Sequence, residues 1–305
     1  MKVFNNNKTL ATFLCITLLL SFGQPMSAAE EINLTTEEGH EIGIGTPQFK
    51  SDSEKNNSKF ANDKSESKEN ESDKIINNQK TKENNKVNLS VTFTSSDGNS
   101  TLELPFEFKN GEYLKLYETP NFMNQESTDE KENTNVVGTI FNKNGNSIGI
   151  FTAELVGNQE KENLIANING NNLELHINTN NNYESNVIQI TAETTYYSTY
   201  FNSFEWINRG GDYPISLSLN HTDYFYEESD AYEMAARGED AWDKVVAVHS
   251  GNSNWENESG LEDQFICHVH YAGNKNPWNI EPSRPDYTFL GTVAAACNPG
   301  SGIWD

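Results

Sequence analysis

Short apolar runs with an alternating pattern dominate the middle of this chain. Between 87 and 195, runs such as VNLSVTF, TLELPFEF and SIGIFTAEL place an apolar side chain at nearly every second position, and turns separate them. A period of two is typical of strands that bury one face. Asn-Gly pairs at 144–145 and 169–170 supply the positive φ values that tight hairpins need. The pattern predicts a β-rich domain over 87–195, a small antiparallel sheet or sandwich.

The last segment, 196–305, mixes strand and helix signals and holds all five tryptophans. The runs FNSFEWI and ISLSLN predict two strands on either side of a turn at Arg209–Asp212. Asp230 is a helix-capping residue, and apolar side chains at helical spacing follow it, with an interruption at Gly238. The run QFICHVHY, 264–271, predicts a further strand. We therefore expect an α+β fold, in which a β-rich middle domain precedes a compact α+β C-terminal domain.

The first residues follow the plan of a signal peptide. Lys2 and Lys8 precede the apolar run Leu10–Phe22, and small residues up to Ala29 offer a cleavage site. The run has about 13 residues, fewer than the roughly 20 that a membrane-spanning helix needs. We expect residues 1–29 to be removed and the protein to be secreted; the alternative is an uncleaved anchor. No later stretch is apolar enough to span a membrane after cleavage.

The segment 30–86 is strongly polar, and Phe49 and Phe60 are its only aromatic residues. Such a segment buries too little apolar surface to offset the entropy of ordering it. The sequence therefore predicts a disordered polar linker over 30–86, and a cleaved propeptide fits the same composition.

Two cysteines, Cys267 and Cys297, remain once the signal peptide is removed. Exported proteins enter an oxidising compartment, where pairs of thiols are usually oxidised. We expect a disulfide between them that staples the C-terminal domain; the alternative is two buried free thiols.

The charge of the chain limits its partners. Its 45 acidic and 21 basic side chains give a net charge of −24. Within 196–305 there are 17 acidic and five basic residues, so the C-terminal domain is acidic as well. Binding to nucleic acid or to anionic lipid requires many Lys and Arg side chains. We therefore expect neither of these partners.

His268 and His270 are the first candidates for chemistry. On the predicted strand, residues two apart point to the same face, and an H-x-H pair can supply two zinc ligands. Candidates for a third ligand are His249, His221 or an acid such as Asp263. The alternative is that both histidines are structural and hydrogen-bonded beside the disulfide, in which case no cofactor is expected.

The same histidines are compatible with a small hydrolase. His268 or His270 would act as the general base, with the other or His249 as the acid, while Lys275 and Arg284 would hold an anionic transition state. The acidic surroundings oppose a polyanionic substrate, and no G-x-S-x-G motif is present. Whether the protein is an enzyme stays open.

The run KNPWNIEPSRP is a candidate binding surface. Its three prolines fix an extended path, and Trp278 and Arg284 are of the types that dominate binding hot spots. Trp206 and Arg209, in the run WINRGG, are further candidates for binding. The alternative is structural: Trp278 anchors the path, and Arg284 pairs with Glu281 or lies over an aromatic ring.

These C-terminal motifs resemble a known family. The run DQFICH at 263–268, Lys275, the run WNIEPSRP at 278–285 and CNP at 297–299, together with WINRGG at 206–211, are similar to the secreted bacterial family catalogued as domain of unknown function 2599. The resemblance covers roughly the last 100 residues. It combines Cys, Trp, Pro and Arg in a fixed order and implies no known activity.

The middle segment resembles a β-rich leader module. The runs FNKNGNSIGIFTAEL, INGNNLELHIN and VIQITAET are similar to a module that precedes varied C-terminal domains in exported proteins of Gram-positive bacteria. The Trp and the terminal Tyr-Pro and Ala-Asp-Pro pattern of that module are absent here. The resemblance implies that the middle domain is a carrier and that the C-terminal domain is its payload.

Export, layout and the lack of a recognisable catalytic set together predict a secreted bacterial protein of unknown activity. Its expected role is that of an extracellular binding or effector module that acts through the C-terminal domain on a cell-surface protein or glycan. The alternative is a small secreted hydrolase that uses His268 and His270.

Overall fold

β-strands are the most abundant secondary structure of the described residues. The computed structural model describes residues 32–37, 39–50, 73–96, 98–117, 135–156, 163–179, 185–227 and 229–300, and the predicted signal peptide lies outside them. In chain order the first twelve strands are β1 (Ile32–Thr35), β2 (Glu41–Ile44), β3 (Gln48–Phe49), β4 (Lys74–Glu83), β5 (Lys86–Thr94), β6 (Asn99–Phe108), β7 (Tyr113–Leu116), β8 (Asn135–Phe141), β9 (Ser147–Val156), β10 (Asn163–Asn169), β11 (Asn172–Asn178) and β12 (Ser185–Thr194).

These strands make two antiparallel sheets that pack face to face. One sheet has the order β1-β2-β6-β11-β10, with β3 also paired to β6, and the other has the order β4-β5-β12-β9-β8-β7. Apolar side chains of both sheets form one buried cluster. Aromatic rings cross the gap: the centroids of Phe106 and Phe151 are 5.9 Å apart, and those of Phe49 and Phe93 are 5.5 Å apart. The arrangement is a β-sandwich.

The two predicted hairpins are confirmed. β8 and β9 are joined through a turn in which Gly145 has φ 85°, and β10 and β11 through one in which Gly170 has φ 61°. Both glycines adopt the left-handed conformation that a side chain with a Cβ rarely tolerates.

Disorder throughout the segment 30–86 was the wrong expectation for the parts that the structure describes. β1 and β2 contribute Leu34, Ile42 and Ile44 to the sandwich core. β4 is polar, but it pairs with β5 along most of its length as an edge strand. An edge strand is stabilised by backbone hydrogen bonds and can keep polar side chains in water. Residues 51–72 lie outside the described residues.

The C-terminal domain combines a small sheet with helices. Its strands are β13 (Phe201–Asn208), β14 (Ile215–His221) and β15 (Trp278–Ile280), and its helices are α1 (Tyr197–Tyr200), α2 (Ala231–His249), α3 (Glu258–Tyr271) and α4 (Thr288–Ala294). The strands are antiparallel in the order β13-β14-β15. The α+β expectation therefore holds here, although strands dominate the chain as a whole. No helix of the described residues is long and apolar enough to cross a membrane.

The predicted start of α2 is confirmed, but the predicted interruption of the helix at Gly238 is wrong. The Asp230 carboxylate accepts hydrogen bonds from the backbone N–H groups of Tyr232 and Glu233, at 2.9 and 2.8 Å. α2 continues through Gly238, where a Cβ would lie 3.3 Å from the Val269 side chain of α3. Gly238 therefore serves the close approach of two helices rather than a break.

The predicted strand at 264–271 is instead the second half of α3. The alternation of Phe265, Cys267 and Val269 suggested a strand, but Leu261, Phe265 and Val269 follow one another at intervals of four and are all fully buried. This spacing forms one face of a helix. The segment 258–263, which precedes the run, belongs to the same helix, and Leu261 is its only large apolar side chain.

Candidate binding site around Glu281

The predicted histidine pair is separated because it lies on a helix. Residues two apart in a helix point in nearly opposite directions, so His268 and His270 cannot share a metal ion or a substrate as they could on a strand. The His268 ring lies 6.2 Å from that of Trp278, whereas the His270 ring lies 6.4 Å from that of Phe289. The geometric basis of the predicted two-histidine site is therefore wrong.

His268 has a structural environment. It is buried, and its Nδ1–H donates to the backbone oxygen of Gln264 at 2.6 Å. Burial lowers the pKa of His268, and the positive charges of Lys275 and Arg284 act in the same direction. His270 also has a lowered pKa because of burial. Both rings therefore favour the neutral form.

The other proposed ligands do not join them. His221 directs both ring nitrogens at backbone oxygens, Nδ1 at Thr222 (2.8 Å) and Nε2 at Lys275 (2.9 Å). His249, at the end of α2, is bonded through Nε2 to the Tyr197 hydroxyl at 3.0 Å. In the part of the chain that the structure describes, no group of three or more His, Cys, Asp or Glu side chains is placed to hold a metal ion.

The carboxyl of Asp263 interacts with that of Asp286. Burial and, to a lesser extent, the negative charge of Asp286 raise the pKa of Asp263 to about 6. Among the described residues, Asp263 and Asp286 form no metal-binding group with the proposed histidine ligands.

Trp278 and the disulfide hold the core. The Trp278 side chain is fully buried, and its indole N–H donates to the backbone oxygen of Ala272 at 3.1 Å. The prediction that Trp278 is a binding residue at the surface is therefore wrong, and the alternative, that Trp278 anchors the extended segment, describes its position. The Cys267–Cys297 disulfide is present, with a Cα–Cα distance of 5.5 Å, and links α3 to the segment after α4. The disulfide prediction is confirmed.

Two of the predicted binding residues, Arg209 and Arg284, come together at Glu281. The Glu281 carboxylate is buried; its Oε2 accepts from Nε of Arg284, and its Oε1 lies 3.5 Å from Nη1 of Arg209. Arg284 also lies over the Tyr213 ring, 4.5 Å from its centre. Both predicted roles of Arg284, pairing with Glu281 and stacking on a ring, are confirmed together.

A second layer of contacts fixes Glu281. The Ser216 hydroxyl on β14 donates to Oε1 of Glu281 at 2.9 Å. The Gln264 side chain on α3 accepts from the Glu281 backbone N–H at 2.9 Å and donates to its backbone oxygen at 3.1 Å. Ser216 and Gln264 are both fully buried. β14 and α3 thus hold the carboxylate in one position.

The loop after the disulfide closes one side of the cluster. Nη1 of Arg284 donates to the backbone oxygen of Pro299 at 2.9 Å, and the Tyr213 hydroxyl donates to that of Gly300 at 3.2 Å. Gly300 has φ 79°, and a Cβ there would lie 2.1 Å from the Tyr213 hydroxyl. Only glycine fits this contact without displacing the tyrosine.

Arg209 differs from Arg284 in its exposure. Its side chain is 52% exposed, whereas that of Arg284 is 11% exposed. Among the described residues, Glu281 is the only side-chain partner of Arg209 that the structure shows. About half of the Arg209 side chain therefore remains in contact with solvent. A planar guanidinium in this position can bind a carboxylate through two parallel hydrogen bonds.

The remaining predicted residues lie away from this cluster or in partly buried positions. Trp206, on β13, is partly buried, and its ring lies 6.1 Å from that of His249. The side chain of Lys275 is exposed, and its backbone oxygen receives the hydrogen bond from His221. Sequence reasoning missed Ser216, Gln264 and Tyr213. Only their positions in the sequence indicated these residues: Ser216 lies in a predicted strand and Tyr213 just before it, and Gln264 lies in the run DQFICH of the family resemblance.

Comparisons with known proteins find uncharacterized relatives and a family of unknown function. Uncharacterized proteins of Mycobacterium tuberculosis ("Uncharacterized protein Rv0477") and Mycobacterium bovis ("Uncharacterized protein Mb0487") are each 39% identical over 70 residues. The matched stretch is 22% of this chain and 45% of each relative, so the chain spans less than half the length of the relatives. Residues 201–300 match the model of the family described as "Protein of unknown function (DUF2599)", which confirms the resemblance of the C-terminal domain to that family.

Proposed function

We propose that this protein works outside the cell as a binding module. Its C-terminal domain would recognise a carboxylate on a cell-surface protein or glycan through Arg209. The signal-like first residues and the Cys267–Cys297 disulfide support an extracellular place of action. The half-exposed guanidinium of Arg209, which shares the buried Glu281 carboxylate with Arg284, is the observation that carries the proposal.

The electrostatics of the cluster favour a small anion over a polyanion. The guanidinium of Arg209 is a half-exposed cation, while the segment 196–305 has 12 more acidic than basic residues. The surrounding negative charge repels an extended polyanion. A single carboxylate can approach Arg209 alone and form a charge-assisted hydrogen bond.

Arg209 lies in a turn that is fixed by a backbone hydrogen bond and open to solvent on one side. Its backbone N–H donates to the Pro214 oxygen at 2.7 Å, which closes the turn that leads from β13 to β14. Gly210 and Gly211 follow with φ 70° and 81°, and a Cβ at either position would meet no atom within 4 Å. The space beside Arg209 is therefore open to a ligand, while Glu281 holds one side of the guanidinium.

An NMR titration tests this proposal. The probes are N-acetyl-dialanine, its C-terminal amide, glucuronic acid and glucose, each added to the ¹⁵N-labelled chain 30–305. Because one surface ion pair contributes little, we expect dissociation constants of about 1 mM or weaker. The two acids should shift the backbone amide signals of Gly210 and Gly211 with saturation, and the amide and glucose should not.

Variants assign the effect to the guanidinium. Arg209→Gln should abolish the shifts, and Arg209→Lys should reduce them because a point charge lacks the planar pair of donors. Lys275→Gln, which removes another exposed cation of the same domain, is the matched control and should leave them unchanged. Equal shifts with an acid and its neutral analogue, or saturation that persists in Arg209→Gln, would contradict the proposal.

A further inference from the structure

The junction between the sandwich and the C-terminal domain contains no exposed linker. β12 ends at Thr194 and α1 begins at Tyr197. Thr194 and Thr195 are buried, and the Thr195 backbone N–H donates to the oxygen of Ile148 at 3.2 Å. Domains that move or are released independently are normally joined by an exposed, flexible segment. Here the joining backbone is part of the sandwich.

One face of α2 packs on the sandwich. Ala236 of α2 is fully buried and forms one apolar cluster with Val137 of β8 and Ile150 of β9, with Tyr117 packed against it. A small side chain on the helix lets its backbone approach the strands closely. This apolar contact would be exposed to water if the C-terminal domain were separated.

A buried acid of α2 is satisfied by groups from both domains. The Asp240 carboxylate accepts from the Tyr200 hydroxyl at 2.6 Å, from Nζ of Lys244 at 3.2 Å and from the hydroxyl of Ser147, the first residue of β9. The Ser147 backbone N–H donates to Asp243 at 3.0 Å, and Lys244 donates to the Ser147 oxygen. Both polar backbone groups and the hydroxyl of one sandwich residue are thus bonded to α2.

A second polar contact links β12 to the segment before α2. The Tyr224 hydroxyl donates to the buried carboxylate of Glu193. Arg237 of α2 lies over the Tyr224 ring, 4.3 Å from its centre, and pairs with Glu233 at 2.6 Å. Burial, reinforced by the Glu193 charge, raises the pKa of Tyr224 well above its ordinary value, so the hydroxyl stays a donor at neutral pH.

From these contacts we infer that the β-sandwich is the obligate intramolecular partner of α2, and that the two domains fold and unfold as one cooperative unit. Separation would leave buried charges of α2 with fewer hydrogen bonds and expose the contact at Ala236. The middle domain is then not a carrier that releases a folded payload. Whatever the C-terminal domain binds, it binds while docked on the sandwich.

Urea unfolding of the chain 30–305 tests the inference with two independent probes. Tryptophan fluorescence reports the C-terminal domain alone, because all five tryptophans follow residue 205. Hydrogen exchange, measured by mass spectrometry on peptides from β5 and β12, reports the sandwich. In the wild-type chain the two midpoints should coincide. Different midpoints for the two probes would overturn the inference.

Two matched core variants give a second test that leaves the interface intact. Val91→Ala shortens a fully buried side chain of the sandwich, and Val245→Ala does the same in the core of the C-terminal domain. Each variant should lower both midpoints by the same amount. A Val91→Ala variant that loses sandwich protection at lower urea while its fluorescence midpoint stays at the wild-type value would overturn the inference. If either variant fails to fold, the wild-type chain decides: equal midpoints for the two probes support the inference, and different midpoints overturn it.

Discussion

Acid should destabilise this protein through His249. The His249 side chain is only 2% exposed; its ring lies 4.5 Å from that of Phe204, and its Nε2 is bonded to the Tyr197 hydroxyl. Burial lowers the pKa of His249 from 6.5 to about 4. The folded state therefore holds the neutral ring, and protonation of the ring favours unfolding.

The magnitude and its pH window follow from these two pKa values. Above pH 6.5 the ring is neutral in the folded and the unfolded chain, so its contribution to stability is fully present. As the pH falls from 6.5 to about 4, the unfolded chain binds a proton that the folded chain does not, and this contribution is lost. Between about pH 7.5 and 4.5 the loss amounts to about 2.5 kcal/mol.

Urea unfolding of the chain 30–305 and of His249→Phe at the two pH values measures this quantity. The variant cannot titrate at this position, so its free energy of unfolding should fall by about 2.5 kcal/mol less than that of the wild type between about pH 7.5 and 4.5. Tyr197→Phe is the control: it removes the hydrogen bond but leaves the ring buried, and burial is the cause of the pKa shift. It should keep the wild-type pH dependence. Equal acid sensitivity in the wild type and His249→Phe would refute the reasoning.

Two further predictions concern the C-terminal domain. Replacing both Cys267 and Cys297 by Ala should lower the free energy of unfolding by about 3–4 kcal/mol, because the disulfide closes a loop of 30 residues in the unfolded chain. Urea unfolding measures this free energy, and an unchanged value in the double variant would contradict the prediction. Glu281→Gln should cost about 3 kcal/mol, because it removes the buried carboxylate that pairs with the largely buried guanidinium of Arg284. Glu205→Gln, on the exposed face of β13, should change stability by less than about 0.5 kcal/mol. Equal thermal midpoints for these two variants would count against the assigned role of Glu281.

Alternation in the sequence predicts strands β5–β12 of the sandwich because it reflects burial directly. β5 alternates buried and partly buried side chains along its whole length, as a half-buried strand must. β4 could not be foreseen, since its stability comes from backbone pairing with β5, and its Lys and Asn side chains carry no apolar signal. The sequence of this edge strand therefore resembles that of a polar linker.

The candidate site was predictable only where partners are close in sequence. Arg284 and Glu281 are three residues apart, and their pairing was expected. Arg209 and Glu281 are 72 residues apart. They meet because each directly follows a strand, β13 or β15, that pairs with β14. The predicted site at His268 and His270 is wrong for a local reason: an apolar run of eight residues is compatible with both a strand and a buried helix. The packing of α3 on its neighbours decides between them, and that contact is not visible in the run itself.

The side-chain Nε–H signal of Arg209 provides the most direct test of the central claim. It would be followed by NMR in the ¹⁵N-labelled chain 30–305 during titration with N-acetyl-dialanine and, separately, with the C-terminal amide of that peptide. We expect a saturable shift of this signal with the carboxylate and none with the amide. An unmoved Arg209 signal at a saturating concentration of the carboxylate, or the same shift with both peptides, would contradict a carboxylate-binding role for the Glu281 cluster.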